Sequence, residues 1–129
     1  MGDLAPYDEK DVHKTYIYLT QKLNEIGITY IHISANPLIS EETFKEIRDN
    51  FSGIIILCNG LTAESGEQAL GAGFADLVAF GRAFLANPDY VEKMLQNASL
   101  NAVDFTTVYT ADAKGYTDYP AMNQTFQGA

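Results

Sequence analysis

Three apolar runs recur along this chain at intervals of roughly two dozen residues, at 28–34, 54–57 and 77–80, and a segment with helical spacing precedes each of them. That alternation constrains the fold more than any other feature. Strands joined through a helix run parallel, because a parallel pair needs a long crossover, and such crossovers are right-handed. The expected fold class is α/β. In the first cycle Val12, Tyr16, Leu19, Leu23 and Ile26 form one apolar helical stripe, with Lys14, Thr20, Gln21 and Glu25 off it, and Gly27 stops the helix. The run 28–34 is rich in isoleucine and aromatics and predicts a strand buried on both faces; Asn36-Pro37 breaks it.

The second cycle repeats the plan. Ser40 is placed as an N-cap, Glu41 and Glu42 favour the positive end of the helix dipole, and Phe44, Ile47 and Phe51 make the stripe. Gly53 resets the chain before Ile54, Ile55, Ile56 and Leu57, the clearest strand in the sequence. The third cycle opens with Thr62 as N-cap and Glu64 in the first turn, buries Ala69 and Leu70, and ends at Gly71 and Gly73. After the run at 77–80, Asn87-Pro88-Asp89 marks one more helix start, leading to Val91, Met94 and Leu95. From residue 99 the periodicity fades into a tail that reads as ordered loop. Parallel strands need cover on both faces, and three of them leave two apolar edges. The expectation is one domain over 1–129 that forms the last units of a larger parallel architecture and is incomplete as a single chain.

Composition narrows the partners. With 17 acidic against 8 basic residues the formal charge is −9, so a nucleic-acid backbone or an anionic membrane is repelled. No apolar run approaches the ~20 residues of a membrane span, and the start at Met1 has no secretory-signal shape. The single cysteine, Cys58, excludes an internal disulfide and gives no metal spacing, which makes a reducing cytoplasm the default compartment.

Chemistry concentrates at two strand ends. The second strand runs into Cys58-Asn59-Gly60 and the third into Gly81-Arg82. Glycine lets a backbone N–H approach a ligand closely, and an arginine fork matches phosphate oxygens. Parallel β/α folds bind ligands at the carboxyl ends of their strands, where both marks fall. Asn-Gly is also an ordinary turn and Gly-Arg an ordinary dipeptide, so spacing by itself leaves both readings open.

A longer stretch separates them. Phe74-Ala75-Asp76-Leu77-Val78-Ala79-Phe80-Gly81-Arg82-Ala83-Phe84-Leu85-Ala86-Asn87-Pro88-Asp89 resembles the eighth strand, phosphate arginine and following helix of the old yellow enzyme family of FMN-dependent oxidoreductases. Gly115-Tyr116-Thr117-Asp118-Tyr119-Pro120 resembles the family's C-terminal signature, Cys58-Asn59-Gly60-Leu61-Thr62-Ala63-Glu64 its seventh-strand loop, and Tyr30-Ile31-His32-Ile33 its sixth strand. The resemblance implies the C-terminal units of a (β/α)8 TIM barrel. It also implies that Asn59, Gly60, Gly81 and Arg82 contact FMN, that Tyr116 lies at the flavin or substrate mouth, and that NAD(P)H is the reductant for an activated alkene.

The resemblance has gaps. Nothing here resembles the family's first five strands, which carry the substrate-gripping pair and the proton-donating tyrosine, so no catalytic residue is assigned. Leu61 stands where an aromatic residue is frequent in relatives. The lone chain is therefore expected to be inactive. It is read as a partial FMN-binding oxidoreductase, as part of a homo-oligomer or of an assembly with a companion chain supplying the missing strands, or as a non-catalytic interaction module. A different phosphate-binding barrel enzyme is disfavoured by the tail signature. Among individual residues, His32 reads as a hydrogen-bonded structural histidine, His13 as a solvated helix residue and Cys58 as a small buried hydrophobe. Tyr116 and Tyr119 have a simpler reading as anchors of the tail, and the acidic segment 3–11 as a solvated entry to the first helix.

Overall fold

Capping chemistry fixes where the helices begin. In the computed structural model, which describes residues 9–36 and 39–122, the Ser40 hydroxyl accepts the Thr43 N–H at 3.2 Å. Thr62 and Ser65 form a reciprocal capping box, each side chain bonding the other's backbone N–H. Pro37 and residues 3–8 lie outside the described residues. The elements in order are α1 (Glu9–Ile26), β1 (Tyr30–Ser34), α2 (Glu41–Asn50), β2 (Ile54–Cys58), α3 (Ala63–Gly71), β3 (Leu77–Ala79), α4 (Arg82–Leu85) and α5 (Tyr90–Leu95). They fall into two compact units, 1–79 and 80–129. Among the described residues no helix is long and apolar enough to cross a membrane.

The first unit holds a three-stranded parallel sheet in the order β1-β2-β3, with Ile33 opposite Leu57 and Leu57 opposite Val78. The helix-strand alternation thus produces the parallel topology it predicts. Ile33, Ile55 and Leu57 turn to one face and meet Ile47 and Phe51, with Tyr16, Ile17 and Leu23 of α1, Phe44 of α2 and Ala69 and Leu70 of α3 packed around them. Ile55 is fully buried, and each such aliphatic side chain contributes roughly 1.5–3 kcal/mol.

Two expectations change here. β1 is not buried on both faces: Tyr30, His32 and Ser34 are exposed while Ile31 and Ile33 turn inward. The register places Ile54, Ile56 and Cys58 of β2 and Leu77 and Ala79 of β3 on that same open side. Within the first unit α1, α2 and α3 pack on the other face, so a strand whose composition suits two-sided burial receives one-sided burial there. In α1 the buried stripe passes through Tyr16, Ile17, Thr20 and Leu23, whereas Leu19 and Ile26 are exposed. Thr20, expected off the stripe, is buried because the face that meets the sheet is rotated from the one marked by the bulkiest residues.

At the amino ends of the strands Arg48 closes the unit. Its guanidinium donates to Asp76 Oδ2 at 2.7 Å, to the Gly53 carbonyl at 2.7 Å and to the Phe51 carbonyl. Asp76 Oδ2 also accepts the Ile55 N–H at 2.8 Å. Gly53 allows β1 and β2 to converge here, since an added Cβ would stand 2.7 Å from the Thr29 carbonyl oxygen and 2.8 Å from the Phe51 ring.

The second unit is organised by Asn87 rather than by an apolar stripe. Its amide donates to the Ala83 carbonyl at 2.8 Å, and its oxygen accepts the Asn101 N–H at 2.7 Å and the buried Lys93 ammonium at 2.9 Å. Asp89 Oδ2 accepts the Met122 N–H at 2.7 Å, which with Lys93 holds the Asp89 carboxyl below the usual carboxylate range. Asn87-Pro88-Asp89 therefore does more than start a helix. Asp89 occupies the N-cap position but makes no side-chain capping bond, and both polar residues tie the tail down. In α5 Tyr90 and Lys93 are buried; of Val91, Met94 and Leu95 only Met94 is half-buried, and the other two are exposed.

Candidate functional site at the strand carboxyl ends

β2 ends in a turn that only certain residues adopt. Asn59 and Gly60 have φ of 78° and 73°, two left-handed residues in succession, which takes the chain from the strand into the capping box of α3 within four residues. Beside Gly60 an added Cβ would meet nothing within 4 Å, so the space there is open. Among the described residues the Gly60 N–H has no hydrogen-bond acceptor. The Asn59 side chain is engaged: its Nδ2 donates to the Ala35 carbonyl at 2.7 Å.

Gly81 and Arg82 stand at the start of the second unit, the second and third residues beyond β3 along the chain. Open space surrounds the Gly81 Cα as well, and among the described residues its N–H has no acceptor. Its φ of −82° is available to any residue, so room rather than conformation is what glycine supplies there. Arg82 is exposed, and its guanidinium carbon lies 5.9 Å from the centre of the Phe105 ring, a cation–π contact within the second unit. β2 and β3 are paired, with Cys58 opposite Ala79, so the strands leading to Gly60 and to Gly81 are sheet neighbours.

Tyr116 behaves as an anchor within its own unit. It is 43% exposed, and its hydroxyl donates to the Val108 carbonyl. Gly115 before it has φ of 79°, and a Cβ there would collide with the Thr107 side chain, which explains a glycine at the head of the tail motif. Tyr119 Oη accepts the Asp104 N–H at 2.9 Å. Both aromatics thus fix turns in a segment without helix or strand.

The histidines depart from expectation. His32 lies exposed on the open sheet face and makes no hydrogen bond among the described residues. His13 is no solvated side chain: Nδ1 lies 2.7 Å from Thr43 Oγ1 and Nε2 2.7 Å from Glu46 Oε2, joining α1 to α2. Helical spacing places these residues on facing elements only once the helices are known to pack together, so no local signal marked the bridge. Cys58 is only half-buried, since it falls on the open face. Among the described residues no group of three or more histidine, cysteine, aspartate or glutamate side chains is disposed to hold a metal ion.

No protein-family profile matches the chain. It is 37% identical over 123 residues to a 12-oxophytodienoate reductase-like protein of Solanum lycopersicum, covering 92% of this chain and 35% of that protein. It is 38% identical over 117 residues to 12-oxophytodienoate reductase 2 of Arabidopsis thaliana, covering 84% and 31%. Among solved structures, morphinone reductase in complex with tetrahydroNAD superposes with a TM-score of 0.79 at 35% identity, covering 86% of this chain and 31% of that one. A variant of NCR from Zymomonas mobilis gives 0.79 at 29% identity, covering 91% and 41%. The chain thus spans about a third of the length of the curated relatives it matches.

Proposed function

We propose that this chain, which corresponds to the C-terminal portion of the old yellow enzyme family and is built as part of its (β/α)8 barrel, contributes the phosphate-holding share of an FMN site. The observation that carries the proposal is the open Gly60 position at the end of β2, with an N–H lacking an acceptor among the described residues; within the second unit, taken by itself, Gly81 is open in the same way. Donors of that kind suit an anion, and Arg82 adds a positive charge to a chain whose net charge of −9 otherwise opposes one. Gly60 and Gly81 offer backbone N–H groups, Arg82 pairs with phosphate oxygens, and Asn59 shapes the first turn. When bound, FMN supplies hydride transfer from NAD(P)H to an activated alkene. This chain's residues contribute binding and orientation; none is assigned to grip a substrate carbonyl or to donate a proton, and turnover by the chain alone is not expected. The setting is taken as the cytoplasm, on the strength of a lone free cysteine.

The open sheet face favours a second component of the same reading. Tyr30, Ile54 and Leu77 are 55%, 41% and 52% exposed on one side of a sheet whose β1 and β3, among the described residues, each pair along one edge only. Apolar surface and free strand edges of this kind favour association with further strands, from a companion chain or a second copy.

The test is a titration of the 15N-labelled chain with FMN and, separately, with inorganic phosphate. The Gly60 and Gly81 amide resonances should move for both ligands, and Arg82→Met should weaken each about tenfold, the loss expected for one charge-assisted contact. Flavin binding that leaves both amides unmoved, or an affinity unchanged in Arg82→Met, would overturn the assignment.

A further inference from the structure

We infer that Asn59 is a positioning residue, which presents the Gly60 N–H to a ligand without touching the ligand through its own side chain. The inference rests on the phosphate reading of Gly60 and refines the part played by its neighbour. Asn59 stands at the first position after β2, where the backbone turns left-handed, and its Nδ2 donates to the Ala35 carbonyl at 2.7 Å. Ala35 in turn donates its N–H to the Cys58 carbonyl at 2.8 Å. Both backbone polar groups of Ala35 are therefore tied to consecutive residues of the β2 exit, and the pairing of β1 with β2 continues one step past the last strand residues, Ser34 and Cys58. A side chain thus does the work of a ladder hydrogen bond where the ladder itself has ended.

That tether has a geometric consequence. The connection from β2 to α3 is only Asn59, Gly60, Leu61 and Thr62, and its far end is fixed by the capping box between Thr62 and Ser65. With the near end fixed to Ala35, the intervening Gly60 amide has little freedom left. Asparagine suits the position on two counts: it tolerates positive φ better than other side-chain-bearing residues, and its amide is short enough to reach a neighbouring loop. Glycine would keep the conformation and lose the tether. Alanine would lose the tether and strain the conformation, and aspartate would set a carboxylate against a carbonyl oxygen.

Three variants of the full chain separate positioning from direct contact, and two readouts separate this inference from the phosphate reading. The first needs no ligand: in the 13C,15N-labelled wild type the Asn59 side-chain amide should be protected from solvent exchange and show a through-hydrogen-bond coupling to the Ala35 carbonyl. The Ala35 resonances should shift in all three variants, each of which lacks the donor, and the Gly60 resonance should shift least in Asn59→Gly, which keeps the conformation. Melting temperature should drop by roughly 4 °C in Asn59→Ala. The second is titration with inorganic phosphate and with FMN: Asn59→Gly should stay within about threefold of wild type, while Asn59→Ala and Asn59→Asp weaken about tenfold. Freely exchanging Asn59 amide protons with unshifted Ala35 resonances would overturn the tether. Loss of affinity in Asn59→Ala with the Gly60 resonance of the free protein, and its shift on titration, left as in wild type would identify the amide as a direct ligand and overturn the positioning role. If the wild type binds neither probe, the phosphate reading fails and the positioning role falls with it, while the exchange data still decide whether the tether exists.

Discussion

The two ends of one sheet are built differently. At the amino ends of the strands Arg48, Asp76, Gly53 and the start of β2 close on one another: one guanidinium satisfies a carboxylate and two carbonyls, and there is no room for a Cβ at Gly53. At the carboxyl ends Asn59 and Gly60 are exposed in left-handed turns, the space beside Gly60 is open, and its N–H has no acceptor among the described residues. The same three strands supply both ends. Polar groups satisfied within the fold stabilise it and leave nothing over for a ligand, whereas an exposed donor without a partner in the fold can exchange water for one. The contrast marks one end as the brace and, under the function proposed above, leaves the other as the receiver, and substitutions should divide accordingly.

The largest effect belongs to the brace. Arg48→Met keeps much of the stem but strands the Phe51 and Gly53 carbonyls and the Asp76 carboxylate, and about 3 kcal/mol of stability should be lost, read as a shifted urea midpoint. Gly53→Ala comes next at roughly 2 kcal/mol, because the obstruction is the Thr29 carbonyl, a backbone atom that cannot step aside. Neither change should alter phosphate or FMN affinity beyond what unfolding accounts for. Gly60→Ala reverses the pattern: left-handed φ on alanine costs about 1 kcal/mol of stability, yet ligand affinity should fall by about tenfold or more. If Arg48→Met and Gly60→Ala moved stability and affinity together, the division between brace and receiver would be broken.

How much of this could be read from the chain itself follows the same line. Local chemistry was legible: the caps at Ser40 and Thr62 and the strand at Ile54–Cys58 depend on residues adjacent in sequence. The placement of Asn59, Gly60, Gly81 and Arg82 just past the carboxyl ends of β2 and β3 was legible too, because it follows from where the apolar runs end. Burial by a distant partner was not. Lys93 looks like a surface residue until the Asn87 oxygen reaches it, and His13 looks solvated until Thr43 and Glu46 are seen beside it. The role of Arg48 depends on three acceptors, and Asp76, 28 residues further along, has no signal near Arg48 in sequence. The apolar richness of β1 misled for a related reason. Composition reports that a strand suits burial on both faces, but the number of faces covered is set by the remaining elements, and within the first unit the helices cover one.

The smallest effect concerns acid, and it should act on one end of the sheet first. The Ile55 N–H, and after it the Arg48 guanidinium, hold the Asp76 carboxyl below the usual carboxylate range. A carboxyl whose pKa is lower folded than unfolded binds its proton more weakly in the native state. Its stabilisation is therefore complete above the unfolded value of about 3.9 and is lost as pH falls through the folded value. The Asp76 side chain is half exposed, which keeps the contribution below about 1 kcal/mol. The stability gap between wild type and Asp76→Asn should accordingly be constant from pH 7 to about 5 and narrow below about 4. Hydrogen exchange sharpens the point: after allowance for the intrinsic pH dependence of exchange, acid should raise exchange at the Ile55 amide in wild type before it does so at Ala35 near the opposite end. Simultaneous loss of protection at both would mean that the amino end is not held by Asp76, and that the two ends of the sheet loosen as one.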